Sequence, residues 1–268
     1  MDTQGLSERF SGYSQSGLYT YRFPSHGPDN TNQLIPVLMI HGSMDRGTSF
    51  NRLHNCLDGF ATVTYDRRGY HRSRLAGQDH PADFHSQVID ALEILPGGRA
   101  VVVGHSYGAT IALALAYEFP DLVRQVVAFE PPLLWRSWWP RPTAKPENSD
   151  VSPQDVAEIF IRRMIGDARW EKLPKRTKEE RRSEGPTFVL EISQLRQGPA
   201  PFETSKFQVP ITIVRGSRTF PHQIRGTDEL HDEIAGSKLF EIPGAGHGAH
   251  LSHPQQLAGL IKDVLEPG

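Results

Sequence analysis

Cysteine is nearly absent: the 268 residues contain one, Cys56. A single thiol excludes an internal disulfide framework and suits a reducing compartment, and its place in an apolar helical pattern marks it as a core residue. Long hydrophobic runs are missing too. No stretch approaches the roughly 20 apolar residues that a membrane span requires, and Met1 to Phe10 has neither the basic nor the apolar region of a secretory signal. Nor is there an excess of charge of either sign. The 29 basic and 31 acidic residues leave a net charge of −2, so no broad field favours nucleic acid or an anionic membrane surface. The expectation is a soluble, cytoplasmic protein whose partner is a small molecule, with no nucleic acid and no membrane span.

What is present centres on Val101-Val102-Val103-Gly104-His105-Ser106-Tyr107-Gly108. Three consecutive β-branched residues suit a strand covered on both faces, and Ala109 to Tyr117 has the length and Ala/Leu content of a buried helix. Gly104 and Gly108 flank Ser106 at the spacing of a sharp strand-to-helix turn, where larger side chains would collide with the strained serine backbone. Such a turn lifts the hydroxyl out of the sheet and aims the next backbone N–H groups at a bound ligand.

Strand and helix signals alternate on either side. Phe10 to Phe23 reads as an antiparallel hairpin about Ser16-Gly17, and Ser25 to Asn32 as a loop. Pro36 to Ile40 is a short strand running into His41-Gly42-Ser43-Met44, followed by a helix with Phe50, Leu53 and Leu57. The strand Phe60 to Tyr65 closes on Asp66-Arg67-Arg68-Gly69, whose charges are expected to satisfy each other and the loop backbone. Pro81 to Leu95 is an amphipathic helix ended by Pro96-Gly97-Gly98. Val123 to Phe129 gives a strand finishing at Glu130-Pro131-Pro132, and a carboxylate there lies on the edge where open α/β sheets place ligands. After a break the alternation resumes with the strand Pro210 to Val214, a helix around Gln223 to Ile234, the strand Lys238 to Ile242 and a terminal helix, Pro254 to Leu265. His247 falls in the small-residue loop from Pro243 to His250, from which an imidazole can reach a neighbouring strand end.

The break runs from Leu133 to Pro201. Ser152-Pro153 predicts the cap and first turn of a helix to about Ile165, Thr177 with Glu180 reads as a capping box, and Gly185-Pro186 breaks or splits the helix begun there. The organisation expected is a core of residues 1–132 and 202–268 with a mostly helical lid at 133–201. The run Lys175, Arg176, Lys178, Arg181, Arg182 alternates with glutamates as a solvated helix face. Trp135, Trp138 and Trp139, directly after the Glu130 strand end, are expected to supply substrate-binding surface.

This order resembles the α/β-hydrolase family over nearly the whole chain, on Gly104-His105-Ser106-Tyr107-Gly108, His41-Gly42, Asp66-Arg67-Arg68-Gly69 and Gly244-Ala245-Gly246-His247. The resemblance implies an α/β fold with a mostly parallel central sheet, helices on both faces and an inserted helical lid. It implies Ser106 as nucleophile, His247 as general base, an oxyanion hole from the N–H groups of Tyr107 and of Ser43 or its neighbour Met44, and neither cofactor nor metal. Epoxide hydrolases and haloalkane dehalogenases of the fold are disfavoured, because they need an aspartate where Ser106 stands. The family's usual third member, an aspartate after the strand Pro210 to Val214, is missing, and Thr219 occupies its position. Some relatives take the acid from the end of the strand after the elbow helix. That corresponds to Glu130, with Asp228 as the next candidate. His71 stands where many relatives have glycine. The expected activity is a serine hydrolase acting on a carboxylic ester, thioester or lactone. A cofactor-free perhydrolase or C–C bond hydrolase uses the same residues, and a non-catalytic ligand receptor is the alternative of another class.

Overall fold

The structure is a computed structural model that describes residues 10–24, 35–57, 59–74, 83–97, 99–141 and 151–265. The loop expected at Ser25 to Asn32, the helix start at Pro81 and Gly98 lie outside the described residues. The strands are β1 (Phe10–Tyr13), β2 (Tyr19–Phe23), β3 (Val37–Ile40), β4 (Thr62–Tyr65), β5 (Ala100–His105), β6 (Val123–Phe129), β7 (Ile211–Gly216) and β8 (Lys238–Ile242). They form one sheet in the order β1-β2-β4-β3-β5-β6-β7-β8. β1 pairs with β2 and β2 with β4 antiparallel, and every pairing from β4 to β8 is parallel.

The helices are α1 (Asn51–His54), α2 (Phe84–Ile94), α3 (Tyr107–Glu118), α4 (Pro153–Ile165), α5 (Asp167–Glu171), α6 (Lys175–Ser183), α7 (Gly185–Gln197), α8 (Pro221–Glu233), α9 (Ala249–Ser252) and α10 (Pro254–Leu265). Side chains alternate across a strand, so the valines of β5 divide between two layers. Val102 joins Leu38 and Ile40 against α2, α3 and α8. Val101 and Val103 join Met39, Val127 and Phe129 against α1 and α10. The central strands therefore read as unbroken apolar runs, and α3 is buried from Tyr107 to Ala116. Among the described residues no helix is long and apolar enough to cross a membrane.

Between β6 and β7 the chain leaves the sheet and forms α4 to α7. Ser152 Oγ accepts from the Asp155 N–H at 3.2 Å, capping α4 as its sequence predicts. The interior of this insertion is apolar: Ala157, Ile161, Trp170 and Phe188 close over Met44 and Tyr70 of the core.

Three local expectations are corrected. The helix with Phe50, Leu53 and Leu57 is a 3₁₀ turn, Gly47–Phe50, followed by the single turn of α1, yet all three side chains are buried. Thr177 and Glu180 form no capping box, because α6 starts straight after Pro174 and Thr177 is already inside it. Glu180 pairs with Arg176 one turn earlier at 3.0 Å. The Asp66 turn does not neutralise itself. Asp66 accepts from the Tyr21 hydroxyl and the Gly47 N–H, each at 2.9 Å, and the arginines go elsewhere, Arg68 to Asp90 and Arg67 to Glu191, each at 2.5 Å.

Packing is very close at the turn between β5 and α3. A Cβ on Gly104 would stand 2.4 Å from the Ala109 Cα and from the Gly108 carbonyl oxygen. Gly104→Ala should therefore be destabilised by about 1–3 kcal/mol, the usual cost of overpacking a rigid site. For a chain of this size each kcal/mol lowers the thermal midpoint by roughly 2–4 °C. An unchanged midpoint in a calorimetric scan would contradict the close approach.

Candidate active site

Ser106 lies between β5 and α3 with φ 53° and ψ −125°, a region that L-residues rarely adopt. Three backbone bonds hold it: its N–H donates to the Phe129 carbonyl at 2.8 Å, and its carbonyl accepts from Ala109 at 2.7 Å and Thr110 at 3.3 Å. The loop after β3 passes close beside it. A Cβ on Gly42 would stand 3.0 Å from the Ser106 Cβ, so glycine lets His41-Gly42-Ser43 run close along the Ser106 turn. Among the described residues neither the Ser43 nor the Tyr107 N–H has a hydrogen-bond acceptor. The Met44 N–H, by contrast, is turned towards the Tyr70 hydroxyl.

Beneath this loop His41 is fully buried. Its Nε2 accepts from the Arg67 N–H at 2.9 Å and its Nδ1 donates to the Gly42 carbonyl at 2.7 Å, which fixes the tautomer. Burial, reinforced by the Arg67 charge, pushes its pKa down to about 3. Burial likewise holds His105 well below the ordinary range, with the neighbouring His250 and His247 adding to the effect.

Glu130 follows β6 with φ 48° and is 0 % exposed. Its Oε2 meets His247 Nδ1 at 2.5 Å and accepts from Thr219 Oγ at 2.7 Å, while Oε1 accepts the Gly216 N–H at 2.8 Å. Two donors from the end of β7 thus aim one carboxylate at an imidazole that follows β8. The His247 backbone is fixed in turn, its carbonyl accepting from His105 Nε2 at 2.7 Å. The rings of His105 and His247 are 4.8 Å apart, which sets the His247 loop against the residue preceding Ser106. The Ser106 hydroxyl itself has no hydrogen-bond partner among the described residues. In ligand-free hydrolytic sites such contacts are often long and tighten on binding.

Asp228 is elsewhere: it pairs with Arg215 at 2.5 Å, which also holds Glu241 at 3.0 Å. His250 is buried with Nε2 3.4 Å from Asp45 Oδ2, and its ring packs 4.3 Å from that of His105. Ligand atoms of Asp45, His105 and His250 lie within 4.8 Å of one another. A first-row cation with bonds of about 2.1 Å needs donors only about 3–3.5 Å apart. The Asp45–His250 pair meets that spacing at 3.4 Å, and the His105 ring lies tilted against that of His250. His71 adopts φ 41°, and its N–H donates to Glu184 of the insertion at 3.1 Å.

The tryptophans spread outward from the strand end. Trp139 meets His222 edge-on at 4.9 Å, Trp138 lies under Arg225 at 4.0 Å, and Trp135 packs on Phe202 at 5.6 Å. Trp135 also lines a surface cleft with Arg136, Ala200, Phe202 and Glu203 that contains none of Ser106, Glu130 or His247. Trp139 packs on His222, whose protonation both Glu130 and His247 influence. Sequence reasoning gave no part to Thr219 beyond its lack of charge, and none to Asp45 or to Glu191, whose Oε2 accepts from Ser43 Oγ at 2.5 Å.

A model of the alpha/beta hydrolase family matches residues 37–260. The chain belongs to that family and is an enzyme of it. It is 23 % identical over 255 residues to human "Serine hydrolase BPHL", covering 89 % of this chain and 80 % of that protein. It is 27 % identical over 252 residues to a pimeloyl-[acyl-carrier protein] methyl ester esterase of Chromobacterium violaceum, covering 90 % and 95 %. Among solved structures, a thermophilic esterase from Thermogutta terrifontis superposes with a TM-score of 0.68 at 18 % identity, covering 96 % of this chain and 98 % of that one.

The buried, depressed histidines His41 and His105 carry a pH dependence. His41 binds no proton in the folded chain until the pH nears 3, whereas its ordinary value is 6.5. Below 6.5 the unfolded chain takes up protons that the folded chain refuses, so stability is full above that pH and falls as the pH drops towards 3. Each such histidine gives a slope of up to about 1.4 kcal/mol per pH unit. The thermal midpoint should decline below pH 6.5, and His105→Gln should flatten the decline. Parallel curves for the two proteins would contradict a neutral, buried His105.

Proposed function

We propose that this chain is a serine hydrolase that cleaves a carboxylic ester, thioester or lactone through an acyl-enzyme. Ser106 is the nucleophile, His247 the general base and Glu130 the acid. The observation that carries the reading is the 2.5 Å bond between Glu130 Oε2 and His247 Nδ1, made on the sheet edge where Ser106 occupies its strained turn. With Nδ1 engaged, His247 has Nε2 left for the serine. A carboxylate on the far nitrogen holds the tautomer and stabilises the imidazolium that forms.

In the first half-reaction Ser106 Oγ attacks the carbonyl carbon as its proton passes to His247 Nε2. The oxyanion is met by the N–H groups of Ser43 and Tyr107, while the Met44 N–H faces Tyr70. Collapse expels the alcohol or thiol, which takes the proton from His247. Water then attacks the acyl-enzyme by the same relay and the acid is released. The mechanism calls on no cofactor. The α4 to α7 insertion is read as a lid, seated on the core by the buried cluster of Ile161, Trp170 and Phe188 with Met44 and Tyr70. The names of the relatives, a serine hydrolase and a methyl ester esterase, point to the same chemistry. Trp139 is the tryptophan proposed to reach the substrate, because of the three it is the one that packs on His222.

A fluorophosphonate probe should label Ser106, and Ser106→Ala should lose both the label and nearly all hydrolysis of a p-nitrophenyl ester panel. Glu130→Gln should lower kcat by roughly 10³–10⁴-fold, as loss of a triad acid does, while Asp228→Asn stays near the unmodified rate. Labelling at another residue, or a near-normal rate for Glu130→Gln, would sink the assignment.

A further inference from the structure

Glu191 lies on α7, in the insertion, yet its carboxylate is 0 % exposed. All four of its partners are donors, and they belong to the core. Oε1 accepts from Arg67 Nη1 at 2.5 Å and Gln87 Nε2 at 3.0 Å, and Oε2 from Ser43 Oγ at 2.5 Å and the Tyr70 hydroxyl at 2.7 Å. The Tyr70 oxygen in turn faces the Met44 N–H. From the other side of the same residue, Arg181 on α6 donates to the Met44 carbonyl at 3.1 Å. Met44 has φ 57°, a left-handed conformation that a side-chain-bearing residue keeps only when its surroundings impose it. Of the two groups that meet it here, Arg181 belongs to the insertion and Tyr70 is itself held by Glu191 of the insertion.

We infer that Glu191 is a positioning residue: by holding Ser43 Oγ directly and Met44 through Tyr70, it couples the seating of the helical insertion to the order of the loop that supplies the Ser43 N–H to the oxyanion. This rests on the serine-hydrolase reading of the site. Lifting α7 away would take the acceptor from two hydroxyls at once and release the strained Ser43-Met44 segment. Closure of the insertion would then do more than cover the substrate, because it would complete the oxyanion hole. An isolated buried ion pair between Glu191 and Arg67 would be weak ground for a stability role. Four converging donors are stronger ground for a geometric one, since only a carboxylate accepts from all of them. In Glu191→Gln, an amide oxygen kept against Arg67 turns an NH₂ group onto Ser43 and Tyr70, and both hydroxyls must reorient.

The test is steady-state kinetics on a p-nitrophenyl ester, with active sites counted by fluorophosphonate titration so that unfolded protein drops out. Glu191→Gln should lower kcat about 10–100-fold with KM within about twofold, somewhat less than the 10²–10³ lost when an oxyanion donor is removed outright. Ser43→Ala should lower kcat less, and Ser43→Ala/Glu191→Gln should be no slower than Glu191→Gln alone, because both act through one link. Effects that multiply, or an unchanged kcat per titrated site with a lowered thermal midpoint, would make Glu191 a structural anchor only and overturn the inference. If Glu191→Gln does not fold, Ser43→Ala and Arg181→Ala decide: a fall in kcat at constant KM supports the coupling, and unchanged kcat in both overturns it. Failure of the underlying reading is separate and visible first, since Ser106→Ala would then keep its activity.

Discussion

The closest approaches in the core are between backbone and backbone. A Cβ on Gly108 would stand 2.2 Å from the Ile40 carbonyl oxygen, and one on Gly104 2.4 Å from the Ala109 Cα. These two contacts let α3 press against the carboxyl ends of β3 and β5 with nothing between them. The distance from Ser106 to the Ser43 loop is set as a result, because Gly42 then brings that loop within van der Waals contact of the serine. A helix packed at the ordinary separation would leave Ser106 above the sheet with no loop beside it. The strain at Ser106 persists because β6 holds its N–H and the first turn of α3 holds its carbonyl.

Above this apolar frame the sheet edge carries a dense set of buried polar groups, and their placement obeys one rule: each charge withdrawn from water is matched by donors or by an opposite charge. Asp66 takes a tyrosine hydroxyl and a loop N–H, Arg67 takes Glu191, and Glu130 takes His247, Thr219 and Gly216. Two buried histidines, His41 and His105, are kept neutral and serve as fixed donors and acceptors for neighbouring loops. The edge is therefore rigid where loops meet, and the groups tying the insertion to it, Glu184 and Glu191, conform to the same rule.

What the sequence made legible was local. The strand, turn and helix from Ala100 to Glu118 arise from apolar patterning and two glycines, and β8 and α10 match their predicted bounds because turn residues and proline delimit them. α5 and α9 went unseen, being too short to show a period. Glu130 and His247 could be singled out from their positions at strand ends. That they share a hydrogen bond depends on β7 standing between β6 and β8, which no local pattern encodes. Glu191 had one unread signal, a carboxylate inside the apolar run Phe188-Val189-Leu190-Glu191-Ile192. Its partner Ser43 lies 148 residues away, and only the tertiary structure brings the two together. The Asp66 turn departs from expectation for a related reason: its adjacent arginines are not the partners of Asp66, because the Arg67 and Arg68 side chains extend to α7 and α2.

Thr219 has a consequence for how such a site changes over generations. In the α/β-hydrolase pattern its position carries the aspartate, whereas here its hydroxyl donates to Glu130 at 2.7 Å. A single replacement restoring aspartate would set two carboxylates within hydrogen-bond distance in a dry interior, and one of them would have to stay protonated. A single replacement removing Glu130 would leave the imidazole with no acid at all. The two arrangements are thus separated by intermediates with either one acid too many or none. A small neutral donor at 219 keeps the chain on one side of that divide, because it accommodates a carboxylate from the neighbouring strand and holds no charge of its own.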